Sequence, residues 1–331
     1  MKKKALWISL AIGFLALIIL FGILAYFFID ARKADELMLN IEPASQINYN
    51  NYIYYNQVDF KGDQFAWQKS SIFGSKLTLL DKSGESSVLN GVNAPFQLLE
   101  NRVVFKKNGS LWQRAFSTMQ DKLIAKDVFC FIAMEHTLFY VAENTLFQYK
   151  WNDGKITSLG ENAYSVFLHQ DQIHMLDMDG QLMRLEPDGT WNKLCSIPVT
   201  SLPYCVMSYG EYVIYKQENN LIMVDPNTSE AEIVRITDHP NATDHVSYIC
   251  DDSRLFVSFQ ATKSDGSIVR NVDYEDNGVW NIDYETKEKR KICDEAFYQL
   301  YLFEGNQLFG VKDNHLYRID IDTGRVTEIS D

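Results

Sequence analysis

His239 and His245 bracket the segment His239-Pro-Asn-Ala-Thr-Asp-His245, and with Asp244 they are the first side chains to test as metal ligands. Two imidazoles in a His-x5-His spacing lack the i,i+4 geometry that places both on one helix face, and no further ligand can be named. The segment reads as a loop without a metal. Asp273, Glu275, Asn277 and Gly278 imitate the start of a calcium loop, but the position that should supply a bidentate glutamate holds Tyr284. There is no Gly-x-Ser-x-Gly elbow, no phosphate-binding Gly-rich loop and no His-Glu-x-x-His. Carboxylates are plentiful, and a sugar hydrolase or lyase needs only two that converge in space, so that chemistry stays open as an alternative. The balance favours a protein without catalytic activity, metal or cofactor. Asn108-Gly-Ser, Asn227-Thr-Ser and Asn241-Ala-Thr match the glycosylation sequon, which matters only in a host that glycosylates exported proteins.

The remaining candidates are recognition residues. Arg270, Asp273, Tyr274 and Asp276 lie in a polar stretch, Lys263 to Gly278, and Trp280 follows it. Tyr, Trp and Arg are enriched where binding energy concentrates, and the bland counterpart is a solvated hairpin. With His239 and His245, these five form the candidate partner-binding set.

The elements that position them follow from a repeat. Leu77-Thr-Leu-Leu-Asp81, Leu111-Trp-Gln-Arg114, Leu146-Phe-Gln-Tyr149, Leu182-Met-Arg-Leu185, Leu221-Ile-Met-Val-Asp225, Val279-Trp-Asn-Ile-Asp283 and Leu316-Tyr-Arg-Ile-Asp320 recur at spacings of 34, 35, 36, 39, 58 and 37 residues. A second strand precedes most of them, as in Val103-Val-Phe105 and Leu308-Phe-Gly-Val311, through turns such as Asn108-Gly109 or Asp179-Gly180 that supply positive φ. Ser83-Gly84, Asp153-Gly154, Asp188-Gly189 and Thr323-Gly324 then turn the chain into a fourth strand. Four short strands per unit, with no helical stripe after residue 40, predict an all-β, seven-bladed β-propeller over residues 48–331. The long interval places an insertion of about twenty residues, Gln260 to Gly278, between the second and third strands of the sixth unit, a length uncommon for a passive loop. That connection and the one containing His239 and His245 are expected on one face of the disc, adjacent in space.

Leu182-Met-Arg-Leu-Glu-Pro-Asp-Gly-Thr190, Leu316-Tyr-Arg-Ile-Asp-Ile-Asp-Thr-Gly324 and Tyr52-Ile-Tyr-Tyr55 resemble bacterial propellers similar to those of low-density-lipoprotein-receptor-related proteins. The resemblance covers about residues 48–330 and implies a propeller fold and no particular activity. The second unit lacks Asp-Gly after its anchor, and the sixth carries the insertion.

Residues 5–29 hold no charge and exceed the roughly 20 needed to cross a bilayer as a helix. Lys2, Lys3 and Lys4 in the tip, residues 1–4, keep that end cytoplasmic, and residues 30–47 form a juxtamembrane linker. The run ends in bulky Tyr26-Phe-Phe-Ile29 without a small-x-small site, which favours an uncleaved single-pass signal anchor over a cleaved signal peptide. The propeller is therefore expected outside the cell membrane. After residue 39, 26 basic and 41 acidic side chains leave a net charge of −15, which opposes nucleic acid as a partner. Five cysteines are too few and scattered for a disulfide scaffold, and Cys130, Cys205 and Cys250 fall in apolar runs, as small buried hydrophobes do. The first expectation for function is a monomeric, membrane-tethered module that docks a protein or a glycan. Behind it stand the sugar hydrolase or lyase and a structural or sensory accessory of a membrane assembly.

Overall fold

The computed structural model describes residues 58–61, 64–71, 74–80, 86–197, 206–217, 220–234, 245–250, 254–260, 276–283, 286–303, 307–313 and 315–330. The proposed membrane segment, the linker, His239, Arg270, Asp273, Tyr274, Tyr284 and Cys205 lie outside the described residues. Among the described residues, no helix is long and apolar enough to cross a membrane. Among the described residues, twenty-eight strands form seven antiparallel four-stranded sheets, each built from four strands consecutive in sequence. The chain folds as an all-β propeller of four-stranded blades.

The first strands of the sheets are Val58–Lys61, Asn93–Leu99, Val128–Ala133, Ala163–His169, Val206–Tyr209, His245–Cys250 and Gln299–Phe303. From Val58–Lys61 to His245–Cys250, each lies beside the first strand of the next sheet. They are the inner strands: Ala163–His169 is buried at six of its seven positions, whereas the fourth strand of the third sheet, Ile156–Glu161, contains no buried position. This gradient explains the composition. Inner strands face apolar neighbours on both sides and read as continuous runs such as Val-Phe-Cys-Phe-Ile-Ala, while outer strands mix charges into the sequence.

Sequence anchors fall on the third strands, from Leu77 in Gly74–Leu80 to Leu316 in His315–Asp320. Their leucines point into the spaces between sheets. Leu77 packs with Phe96 and Phe105 of the next sheet, and Leu146 and Leu182 share one cluster with Val166, Val206 and Tyr215. The turns behave as their residue types require. Asn108 and Gly109 adopt φ of 51° and 75°, and Glu143 and Asn144 adopt 48° and 56°, the left-handed pair that matches strand twist in a two-residue hairpin.

One hydrogen bond recurs from sheet to sheet. Where the chain leaves a fourth strand for the next blade, a backbone N–H donates to a carbonyl in or just after the turn between the second and third strands of the sheet just completed. The bonds are Gly91 to Ser75 O (2.8 Å), Val128 to Gly109 O (2.9 Å), Ala163 to Asn144 O (2.8 Å) and Ile197 to Gly180 O (2.8 Å). These bonds put the second-to-third turns and the blade-to-blade connections on one face, called the upper face below.

The described cysteines are free thiols, and Cys130, Cys195 and Cys250 are buried. Their role is packing, as the apolar runs predict for Cys130 and Cys250.

Candidate functional site

Among the second-to-third connections on the upper face, one departs in length from the rest. The second-to-third connection is two or three residues in the other six sheets, for example between Arg102–Lys107 and Ser110–Ala115. In the sixth it runs from Gln260, the end of Arg254–Gln260, to Gly278, the start of Gly278–Asp283, and so spans residues 261–277, seventeen in all.

Both ends of this insertion are fixed. Gln260 pairs across the sheet with His245, the opening residue of its first strand, so the structure brings the second histidine's backbone to the base of the insertion. At the other end, Trp280 donates its indole N–H to Asp276 O at 2.8 Å, and Lys291 Nζ lies 5.7 Å from the indole centroid. Trp280 is half-buried and clasps the returning limb, with Asp276 serving through its main chain. Gly278 completes the clasp. Its φ is 128°, and a Cβ there would overlap the Cys293 carbonyl oxygen of the neighbouring fourth strand. The remaining candidates, Arg270, Asp273, Tyr274 and His239, are not among the described residues.

A second group went unseen in the sequence. At the upper end of three consecutive inner strands the pairing slips by a bulge: between Asn93 and Phe96, at Phe129, and at Tyr164. A bulge re-aims the residue it carries. The Phe129 ring is 40% exposed, large for a phenylalanine, and lies 5.2 Å from the Tyr164 ring at an interplanar angle of 48°. Beside them Lys106, at the upper end of the second sheet's second strand, donates to Phe129 O at 2.9 Å. Burial lowers the Lys106 ammonium below the ordinary lysine value. The 35-residue interval between Phe129 and Tyr164 was the available signal, since equal repeat positions holding aromatic residues mark one structural position.

A third group resembles catalytic machinery and is sealed. His169 Nδ1 shares a 2.8 Å hydrogen bond with Ser208 Oγ, and His174 meets the His169 ring edge-on at 5.2 Å. Ser208 is 2% exposed, His169 4% and His174 2%, so no substrate reaches the pair. His174 Nδ1 donates to Gln172 O at 3.0 Å, and Cys250 donates to Ser208 O at 3.0 Å. Burial holds both imidazoles down at about 4, with their mutual repulsion a further contribution at His174. The arrangement is a polar clasp between the fourth and fifth sheets. Among the described residues, no cluster of three His, Cys, Asp or Glu side chains has the geometry to hold a metal ion.

The fold has solved counterparts. A computationally designed protein, Ika8, superimposes with a TM-score of 0.55 at 15% identity, covering 86% of this chain and 88% of its own. BamB from Moraxella catarrhalis aligns with a TM-score of 0.50 at 14% identity over 86% of this chain and 87% of that one. The extracellular domain of the putative one component system BT4673 from B. thetaiotaomicron matches at 0.49 and 15% identity, covering 83% of this chain, which spans 39% of that longer chain. At these identities the likeness extends to the propeller fold alone. No family model and no curated protein sequence matches the chain.

Proposed function

We propose that this protein is a membrane-tethered, extracytoplasmic propeller that docks a protein or glycan partner through its upper face. The carrying observation is the seventeen-residue connection between Gln260 and Gly278, on a face whose other second-to-third turns are two or three residues long. A closed ring does not need it. Loop closure changes by only about 0.6 kcal/mol per doubling of length, so an insertion persists at small folding cost and its fixed base points to use. Seven consecutive four-stranded sheets support a seven-bladed ring. The uncharged stretch 5–29 supports the anchor, and the blade motifs support kinship with the low-density-lipoprotein-receptor-related type of propeller.

The test is to replace Thr262 to Asn277 by an Asn-Gly turn in the full-length protein. The expected melting temperature stays within a few degrees of the parent, because the segment's Lys263, Asp265, Arg270, Asp273, Glu275 and Asp276 cannot supply core. Crosslinking on intact cells is expected to lose the partner that the parent captures. Unfolding of the shortened protein assigns the segment a structural role; undiminished capture removes it from the binding surface.

A further inference from the structure

Phe129, Tyr164 and Lys106 come from three consecutive blades and meet at the inner, upper rim, away from the insertion in sequence. A bulge at the same repeat position turns each aromatic residue out of its strand, leaving a tilted pair of rings with one largely exposed member. Core packing does not account for a phenylalanine that is 40% exposed at an inner strand.

The lysine supplies the second observation. Lys106 spends one donor on Phe129 O, and no carboxylate among the described residues pairs with it, although the chain carries 44 acidic side chains. An ammonium tied to the backbone beside an aromatic pair, with donors remaining, is complementary to a carboxylate. The surroundings limit how many charges that ligand carries. Exposed Glu143 and Asp179 lie on the adjoining turns and Glu161 ends the strand Ile156–Glu161, Asn162 donates to Asp179 at 2.9 Å, and the three carboxylates repel a polyanion while accepting hydrogen bonds from hydroxyl groups. A C–H-rich ring packs on the aromatic pair, hydroxyls meet the acidic and amide rim, and one carboxylate meets Lys106.

From this juxtaposition we infer that the upper rim of the second to fourth blades is a saccharide subsite selective for a sugar acid, its ring seated on Phe129 and Tyr164 and its carboxylate on Lys106. The assignment rests on the upper face being the docking face and specifies the glycan alternative of that reading. An acidic peptide is the competing occupant and is disfavoured by the same carboxylates.

The experiment titrates the full-length protein calorimetrically with a glucuronic-acid-containing trisaccharide and with its carboxyl-reduced counterpart, at low and physiological salt. The acid is expected to bind at least about fivefold more tightly than the reduced form, with the difference shrinking as salt rises. Lys106→Gln should erase that preference, and Phe129→Ala should weaken both sugars about tenfold, with melting temperatures confirming that each variant folds. Equal affinity of the parent for the two sugars overturns the assignment, as does a preference that survives Lys106→Gln. Binding of neither sugar, or of an acidic hexapeptide in their place, overturns it too. Because the loop replacement at 262–277 probes a different part of the face, its failure leaves these titrations informative, and theirs leaves the loop's role standing.

Discussion

His169 and His174 show how a sealed polar pair makes stability depend on pH. Folded, each imidazole stays neutral down to about pH 4; unfolded, each takes up a proton near 6.5. Above about pH 7 neither state is protonated and the pair exerts no pH-dependent effect. As pH falls from 6.5 towards 4 the unfolded chain binds protons that the folded one refuses, and stability is lost, by roughly 3 kcal/mol per imidazole at most, before levelling off. Thermal melts across that window should therefore show a parent whose midpoint falls more steeply than that of a His169→Asn, His174→Gln double variant. Parallel curves would assign the acid loss to other groups. The clasp itself was illegible in the sequence, because His169 and Ser208 are 39 residues apart and only the packing of two sheets brings them together. His239 and His245, by contrast, attract notice because they are close in sequence, which says little about whether they converge.

Strands were the legible scale. The anchor segments coincide with the third strands because apolar residues at alternate positions and Asp- or Gly-rich turns fix both the register and its ends. In His315–Asp320, Leu316 is 2% exposed and Arg318 faces solvent. Leu316→Asp is expected to cost several kcal/mol by burying an unpaired charge, while Arg318→Asp stays within about 0.5 kcal/mol, as denaturant unfolding would measure. Comparable losses at both sites would contradict the register. Bulges escaped the same reasoning. The slips at Phe129 and Tyr164 barely disturb the apolar pattern, since they lie between Val128 and Cys130 and between Ala163 and Ser165, small or apolar side chains that are buried in the observed register, and only a comparison of equal repeat positions exposes them. The insertion was legible as a broken period, 58 residues in place of about 36, although its length was overestimated slightly: seventeen residues separate the strands.

For the molecule as a whole, the charge asymmetry around residues 5–29 predicts that protease added to intact cells digests the chain beyond residue 40 and spares the N-terminus. Protection of the bulk of the chain would reverse the proposed topology. The arrangement of the sheets bears on how such a chain acquires its structure. Among the described residues, every sheet consists of four strands consecutive in sequence, including the last, Gln299–Phe303 through Val326–Ser330. Strands that hydrogen-bond within a sheet are thus neighbours along the chain, which keeps contact order below that of a sheet assembled from distant strands, and folding rates rise as contact order falls. Since chains are synthesised from the N-terminus, each blade is able to complete its own pairing before the next is made, and no half-built sheet waits with an open edge for a distant strand. In the first four sheets, the bond that ties a finished hairpin to the outgoing chain, as Val128 to Gly109 does, would then act as a ratchet, setting one blade's geometry before its neighbour begins.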